Sequence, residues 1–326
     1  MQSAPPPINN ALFLPGALNQ SWLLFEITRG CNRSCVYCYN PDRQGPRAPD
    51  LSASRFESLL DRLFDNGPPR GVTIIGGEPL LVPQLDDVIR GFARRGLKVG
   101  LSTNGLLLDR ARIEALLKAG VGGFEVSLDS SNPATHGVLT GAGGIEQVRE
   151  ALAALALAEV PVSVGAVLTR PALAGLDDLL RLCFALSVGR IVLAQFAPVG
   201  QARAAELCPS PKELATALEL ANQRSADLGM QVCIGLPVEP CRLDRDRFAH
   251  LVFEACRCGI DKWVLEPNGN VRTCELAETS VGNLFETPFG ELVSSETVEQ
   301  FRRNHRTECT TCPDWDVCGG GCRFLR

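Results

Sequence analysis

The chain has 326 residues, of which 45% are hydrophobic and 21% are charged, and its formal net charge at pH 7 is −5. This composition is that of a globular protein with a substantial core, and the length allows one large domain or two ordinary ones. The small acidic excess excludes recognition of nucleic acid through bulk positive charge. Because we find neither a signal-peptide pattern nor an apolar run long enough to span a bilayer, we expect a soluble cytoplasmic protein without a membrane partner.

From Leu23 to about Gly200, short apolar strands alternate with amphipathic helices. This alternation predicts a parallel sheet with right-handed crossovers. Six units favour an α/β fold of the TIM-like type, a partial (β/α)6 barrel, while a doubly wound sheet is the competing architecture. The predicted strands are Leu23–Ile27, Val72–Ile75, Val99–Ser102, Phe124–Leu128, Val162–Leu168 and Ile191–Gln195.

After Gly200 the repeat stops, and the sequence becomes cysteine-rich and poor in long regular elements. We expect a small, loop-rich C-terminal domain attached to the barrel. The expected division is an N-terminal extension over 1–20, the partial barrel over 21–200, a connecting helix and strand over 201–240, and a cysteine-rich domain over 241–326.

Unusual residues follow each of the first four predicted strands. In parallel α/β folds, functional groups gather at the carboxyl ends of the strands, so these residues are expected to share one rim. They are Cys31, Cys35 and Cys38, then Gly76-Gly77-Glu78-Pro79, then Ser102-Thr103-Asn104-Gly105, and then Ser127-Leu128-Asp129.

Fourteen cysteines are the unusual feature of the composition. In a reducing cytoplasm, clustered cysteines more often bind metals than form disulfides. The first cluster, Cys31-Asn-Arg-Ser-Cys35-Val-Tyr-Cys38, puts three thiolates in one loop, and three ligands on an iron–sulfur cube leave one iron free to bind a small molecule. Zinc is the rival metal, but structural zinc needs a fourth ligand. Three isolated cysteines are expected in the core: Cys183, Cys208 and Cys233.

The three-cysteine loop, with Tyr37 before its last cysteine, resembles that of the radical S-adenosylmethionine (radical SAM) superfamily. The Gly76-Gly77-Glu78-Pro79 loop is similar to the family's Gly–Gly–Glu loop, which holds the amino group of the methionine moiety. The resemblance implies a [4Fe–4S] cluster that binds S-adenosylmethionine. It also implies cofactor contacts from Tyr37, Gly76, Gly77, Glu78, Pro79, Ser102, Asn104, Ser127, Asp129 and Leu168.

One position departs from the family pattern. Members with a His-x-x-x-Arg-Gly stretch place an arginine against the methionine carboxylate, whereas this chain reads His136-Gly-Val-Leu-Thr140-Gly141. Thr140 therefore stands where the cation is expected, and Arg149 and Arg170 are candidates to replace it.

The C-terminal cysteines resemble the SPASM extension of radical SAM enzymes, which carries one or two auxiliary [4Fe–4S] clusters; on spacing alone, two zinc ribbons are the alternative. The resemblance assigns Cys258, Cys274 and Cys322 to the first auxiliary cluster and Cys309, Cys312 and Cys318 to the second. Cys256 and Cys241 compete for the fourth position of the first cluster, with Cys256 preferred. No cysteine follows Cys322 in these 326 residues, so the second cluster takes Asp314 or Asp316, keeps an open site or is absent, or the natural chain continues beyond this sequence.

The resemblance implies an oxidoreductase that reductively cleaves S-adenosylmethionine to a 5′-deoxyadenosyl radical and abstracts hydrogen from a substrate. The expected substrate is a peptide or small protein that receives a crosslink, a thioether or an oxidation, with or without a separate peptide-binding partner. The expected electron donor is a flavodoxin or ferredoxin. The alternatives are a radical SAM enzyme of tetrapyrrole or other small-molecule cofactor biosynthesis and, in another class, a non-catalytic iron–sulfur or zinc scaffold or electron carrier. No general base is assigned.

Overall fold

The computed structural model describes residues 22–40, 51–64, 69–200 and 205–325. The expected N-terminal extension, residues 1–20, lies outside these ranges. Three side chains inside them are also not described: Ala205, Asp316 and Val317.

Eleven strands and eleven α-helices make up the regular structure of the described residues. The strands are β1 Trp22–Thr28, β2 Gly71–Gly76, β3 Lys98–Thr103, β4 Val121–Ser127, β5 Val162–Leu168, β6 Arg190–Gln195, β7 Gln231–Gly235, β8 Leu251–Phe253, β9 Lys262–Leu265, β10 Asn270–Arg272 and β11 Gly282–Asn283. The helices are α1 Ala53–Phe64, α2 Leu85–Arg94, α3 Arg110–Ala119, α4 Pro133–Thr140, α5 Ile145–Leu157, α6 Arg170–Leu173, α7 Leu176–Ala185, α8 Pro211–Leu228, α9 Phe289–Val293, α10 Glu296–Arg303 and α11 Trp315–Cys318. None of these helices is both long and apolar enough to cross a membrane.

The eleven strands form one sheet in the order β11-β10-β9-β1-β2-β3-β4-β5-β6-β7-β8. Strands β1 to β6 lie side by side in chain order and are parallel, as the sequence predicts. This order has no point at which the winding reverses, so the doubly wound alternative is wrong. Residues after Gly200 add strands at both edges of the sheet: β7, which lies within the expected connecting helix and strand, and β8 follow β6, and β9 pairs with β1. The sequence does not predict β8 and β9.

The sheet is strongly curved. Strands β8 and β9 are eight strand spacings apart, about 38 Å on a flat sheet. The chain from Phe253 to Lys262 makes nine steps and reaches at most about 32 Å. The charges of Arg190 on β6 and Lys262 on β9 both lower the pKa of Glu125 on β4, which burial raises, so side chains of distant strands face one interior. The fold is an open partial barrel with a cysteine-rich C-terminal region.

A buried ion pair joins the C-terminal hairpin to the first strand of the barrel. The guanidinium of Arg272 on β10 contacts the carboxylate of Glu26 on β1, and the two side chains are 4% and 2% exposed. Its Nε lies 2.9 Å from Glu266 Oε1, and its Nη1 donates to the carbonyl oxygen of Ala277 at 2.7 Å. Burial raises the pKa of Glu26, and the charge of Arg272 opposes this shift. The hairpin is therefore fixed to the barrel by charge as well as by strand pairing.

Replacing Arg272 by Met should leave the Glu26 carboxylate buried without its main cation. Because Arg29 remains 3.5 Å from Glu26, we expect the low end of the usual loss, about 3 kcal/mol of unfolding free energy. Urea unfolding of the anaerobic protein measures it. Arg110→Met, which removes an exposed pair with Glu114, is the control and should cost less than about 1 kcal/mol. Equal losses in the two variants would contradict the role of the buried pair.

Candidate active site and metal centres

Hydrogen bonds from two neighbouring segments fix the three-cysteine loop that follows β1. The amides of Ser34 and Val36 donate to the carbonyl oxygens of Thr140 and Leu139 at the end of α4, at 3.1 and 2.9 Å. On the other side, the amide of Gly77 donates to the carbonyl oxygen of Thr28 at 2.7 Å. The loop is therefore held between α4 and the Gly–Gly–Glu segment.

The thiols of this loop suit a positively charged metal centre. Burial raises the pKa of Cys31, and burial with nearby negative charge raises the pKa of Cys35 to about 12, so the thiolates need a compensating charge. Ligands of a single zinc ion lie about 4 Å apart. Among the described residues, the one set of three candidate ligand atoms within 4.8 Å of one another comes from Cys258, Cys274 and Glu275. The three loop sulfurs do not form such a set, so at least one pair of them is more than 4.8 Å apart.

The carboxylate of Glu78 ties the second loop of the rim to the third. It is fully buried, and it accepts hydrogen bonds from the amides of Leu80 at 3.0 Å and Asn104 at 2.8 Å and from Thr103 Oγ1 at 2.8 Å. Burial raises the pKa of Glu78, and these hydrogen bonds oppose the shift. A carboxylate has about four acceptor positions, so about one remains for the ammonium of a bound ligand.

The two glycines of this segment are required by its close approach to the chain before Cys31. A Cβ on Gly76 would lie 2.4 Å from the carbonyl oxygen of Thr28, and one on Gly77 would lie 2.2 Å from that of Gly30. Both distances are shorter than any real contact of a Cβ. The glycines therefore allow the two loops to pack together, in addition to any approach by a ligand.

The remaining rim residues predicted from the sequence divide into polar contacts and packed positions. Asn104 Nδ2 donates to Asn32 Oδ1 at 2.7 Å and lies 3.9 Å from Cys31 Sγ, and Ser102 Oγ lies 3.4 Å from Glu125 Oε1 in the barrel interior. Ser127 is half-buried at the end of β4. Pro79 is buried, and Leu168 is 2% exposed in the hydrophobic core.

Asp129 holds Tyr37 in place at the three-cysteine loop. Its Oδ2 accepts a hydrogen bond from the Tyr37 hydroxyl, and its Oδ1 accepts one from the amide of Val167 at 2.8 Å. Burial raises the pKa of Asp129 to about 6, and these hydrogen bonds oppose the shift. The carboxylate therefore positions the aromatic residue that precedes the last cysteine of the loop.

Arg33, which the sequence analysis does not single out, is a buried cation inside the three-cysteine loop. It is 4% exposed, and its Nη1 donates to the carbonyl oxygens of Ala142 and Gly143 at 3.4 and 3.3 Å. Its Nη2 is buried without a hydrogen-bond partner in the part of the chain that the structure describes. Burial and the charge of Arg33 lower the pKa of His136 to about 4. The sequence signal for this role is the position of Arg33 between the first two cysteines of the loop, where it is the one charged residue.

The two arginines that the sequence offers in place of the missing cation are bound elsewhere. Arg149 pairs with Glu146 at 2.9 Å and donates to the carbonyl oxygen of Ser131 at 3.0 Å. Arg170 lies 3.3 Å from the carboxylate of Glu213. Arg33 is thus better placed than either to meet an anion at the three-cysteine loop.

The structure brings together the cysteines expected at the first auxiliary cluster. The sulfur of Cys258 lies within 4.8 Å of that of Cys274, and Cys256 interacts electrostatically with both Cys258 and Cys322. This geometry favours Cys256 over Cys241 as the further ligand. The second set, Cys309, Cys312 and Cys318, lines one cavity together with Cys241 and Asp314.

None of the fourteen cysteines, all of which lie in the described ranges, forms a disulfide. Cys183 and Cys233 are buried, as predicted for core residues. Cys208 is exposed, so its prediction as a core residue is wrong; it lies just before α8, where its sulfur faces only the carbonyl oxygen of Pro209, at 3.6 Å.

Comparisons with known protein families match both cysteine regions. Residues 25–178 match the family model described as the radical SAM superfamily, and residues 256–313 match the one described as an iron–sulfur cluster-binding domain, SPASM. The chain is an enzyme of the radical SAM superfamily with a C-terminal SPASM domain. Its cofactors are accordingly S-adenosylmethionine, the [4Fe–4S] cluster that binds it, and one or two auxiliary [4Fe–4S] clusters.

Individual relatives cover nearly the whole chain at low identity. An AdoMet-dependent heme synthase of Oleidesulfovibrio alaskensis is 26% identical over 92% of this chain and 82% of its own length. A PqqA peptide cyclase of Streptomyces rochei is 28% identical over 92% of this chain and 84% of its own. Among solved structures, Streptococcus suis SuiB bound to the precursor peptide SuiA has a TM-score of 0.75 at 18% identity, covering 93% of this chain and 72% of that one. The last likeness establishes the fold.

Replacing Glu78 by Gln should place an amide NH2 group against one of its three buried donors. We expect a loss of about 1–3 kcal/mol in unfolding free energy, because a donor that loses its acceptor stays desolvated. Urea unfolding measures the loss, with Glu57→Gln as the exposed control, for which less than about 1 kcal/mol is expected. An unchanged stability in the Glu78 variant would mean that the carboxylate does not hold the loops together.

Proposed function

We propose that this radical SAM enzyme is a maturase that oxidatively modifies a peptide or small protein, forming a crosslink, a thioether or an oxidised side chain. The proposed electron donor is a flavodoxin or ferredoxin, in the reducing cytoplasm that open cluster sites require. The proposed division of the chain places the barrel at 21–200, the connecting helix and strand at 201–240 and the SPASM-like region at 241–326.

The observation that carries this proposal is that the first auxiliary site borders the interior of the barrel. The half-buried ammonium of Lys262 interacts electrostatically with the thiols of Cys258 and Cys274, and also with Glu125 in that interior. On the other side, Tyr39, directly after the last loop cysteine, interacts with Glu275 beside Cys274. An electron acceptor in the first auxiliary site would therefore stand beside a substrate in the barrel, as a net oxidation requires.

The chain's own residues bind and orient the cofactor. When bound, S-adenosylmethionine and its cluster supply a 5′-deoxyadenosyl radical for hydrogen abstraction. Cys31, Cys35 and Cys38 would hold that cluster. Backbone groups at Gly76 and Gly77 and the remaining acceptor position of Glu78 suit an ammonium, while the Asp129–Tyr37 hydrogen bond fixes the aromatic side chain beside the cluster loop.

The relatives support a peptide substrate and keep one alternative open. PqqA peptide cyclases of Streptomyces rochei and Rhizobium meliloti match at 28% and 27% identity, which favours peptide modification. AdoMet-dependent heme synthases match at 26% and 25%, and they favour the tetrapyrrole alternative equally. A net oxidation with an auxiliary acceptor suits both substrates, so the choice between them needs an experiment.

The test is anaerobic assay of the reconstituted enzyme with dithionite and S-adenosylmethionine. The wild type should hold roughly twelve irons if all three clusters are present, and C31A/C35A/C38A about four fewer. This triple variant should form no 5′-deoxyadenosine, whereas Cys208→Ala, the exposed control, should behave as wild type. Zinc in place of iron, or no loss of iron in the triple variant, would contradict the cluster assignment.

The substrate class is tested with two deuterated probes. One is the set of deuterated peptides encoded beside the gene of this chain, and the other is an iron porphyrin deuterated on its propionate side chains. We expect deuterium in 5′-deoxyadenosine, and a mass change of the probe, with a peptide. Transfer from the tetrapyrrole alone would overturn the maturase proposal and establish the alternative.

Arg33 is the residue that we assign to the carboxylate of the methionine moiety. It is a buried guanidinium with an unpartnered Nη2, and it lies beside α4, whose last residue Thr140 occupies the position of the family's arginine. Thr140 cannot supply a charge, because its side chain is a neutral hydroxyl; its Oγ1 lies 2.6 Å from the carbonyl oxygen of Ala142 and 2.8 Å from that of His136. Arg33 therefore supplies the missing cation from the three-cysteine loop, which packs against the end of α4.

Arg33→Met should weaken S-adenosylmethionine binding tenfold to a hundredfold, since a charge-assisted hydrogen bond contributes about 1.5–3 kcal/mol. The affinity is read from the change in the EPR spectrum of the reduced cluster during titration, at unchanged iron content. Arg149→Met is the matched control and should bind as wild type. Normal affinity in the Arg33 variant with a weakened Arg149 variant would assign the role to Arg149.

A further inference from the structure

The loop after β7 brings an exposed cysteine to the second auxiliary site. Cys241 lines the same cavity as Cys309, Cys312 and Cys318. It lies nearly seventy residues upstream of the nearest of them in sequence, so spacing alone gives no reason to group it with them. Cys322 lines this cavity as well, so the cavity collects five thiols from two separate segments.

The turn that carries Cys241 is anchored on both sides. Val238 is buried in the core, and the Nε of Arg245 donates to its carbonyl oxygen at 2.8 Å. The amide of Arg242 donates to the carbonyl oxygen of Glu239 at 2.9 Å and closes the turn. Cys241 thus lies in a turn whose backbone is held by hydrogen bonds on both sides.

This turn packs directly against the glycine run that separates Cys318 from Cys322. A Cβ on Gly321 would lie 2.5 Å from Glu239 Oε1, so only glycine permits the approach. Burial raises the pKa of Cys318, the charge of Arg245 lowers it and that of Glu239 raises it, which places both charged groups beside the thiol. Residues before and after Cys241, Glu239 and Arg245, therefore both lie against the segment from Cys318 to Cys322.

Cys309, Cys312 and Cys318 leave one corner of a cubic cluster without a protein thiolate. Cys322 lines the same cavity, but it interacts electrostatically with Cys256 of the first site. We infer that Cys241 supplies the fourth thiolate of the second auxiliary cluster. Asp314 lines the same cavity, but a soft thiolate is the better ligand for cluster iron. The inference rests on the SPASM domain and is independent of the substrate class.

Alkylation of the anaerobic protein tests the inference without changing its sequence. Cys241 and Cys208 are both exposed and form a matched pair. In the reconstituted enzyme, iodoacetamide should modify Cys208 and leave Cys241 protected at least tenfold. After the iron is removed by chelation, both should react. Equal alkylation of the two cysteines in the reconstituted enzyme would overturn the inference.

A variant series in the C31A/C35A/C38A background provides the second test, because that background removes the cluster that binds S-adenosylmethionine. The parent should hold about eight irons in two auxiliary clusters. Adding Cys241→Ser should reduce this to about four, or give the EPR signal of an oxidised three-iron cluster. Cys208→Ser and Asp314→Asn should match the parent.

The opposite results are equally definite. An unchanged iron content and spectrum with Cys241→Ser, or a loss of iron with Asp314→Asn alone, would overturn the assignment of Cys241. A parent that holds only about four irons would also overturn it, since the second cluster would then be absent. None of these measurements uses a substrate, so they stand apart from the test of the maturase proposal.

Discussion

The parallel pairing of β9 with β1, from Trp22 with Lys262 to Phe25 with Leu265, is the contact on which the arrangement of both cluster regions depends. Strand β1 delivers the three-cysteine loop at its carboxyl end, and the hairpin of β9 and β10 carries Cys258 and Cys274 at its ends. The buried Arg272–Glu26 pair fixes this register, because a slip of the hairpin would leave a carboxylate buried without its cation. The cysteine-rich region is therefore a continuation of the barrel sheet.

The three-cysteine loop and its surroundings combine buried carboxylates and thiols with one buried cation. Two buried carboxylates, Glu78 and Asp129, stand beside thiols that must ionise to bind iron. Hydrogen bonds from backbone amides keep the carboxylates in place, and Arg33 supplies positive charge to both. Because Arg33 keeps Nη2 unpartnered, it can balance these groups and still accept an anion. A zwitterionic ligand with separate ammonium and carboxylate matches this pattern better than a simple anion does.

Much of the barrel and its rim could be predicted from the sequence, because the relevant signals are local. Helix α3 begins and ends where Asp109 and Gly120 cap it. Strands β9 and β10 could not be predicted, since four and three residues are too few to show a period. The roles of Arg33 and Cys241 could not be predicted either, because they depend on residues far away in the sequence. The separation is about a hundred positions for Arg33 and about seventy for Cys241. Only the fold shows that a loop cation faces α4, or that the turn after β7 meets the last cysteines.

The C-terminal cysteines also lie at the gap between the two ends of the open barrel. Strands β8 and β9 face each other across the open side of the sheet, joined by a short connection that carries Cys256 and Cys258. The last segment reaches both sides of that opening. Cys322 meets Cys256 on one side, and Cys318 meets the turn of Glu239 on the other. Clusters bound through these cysteines would link β7 to β9 by metal–sulfur bonds, where the sheet itself has no strand pairing to offer. On this view the auxiliary clusters would complete the wall of the barrel, and their loss would affect the fold as well as electron transfer.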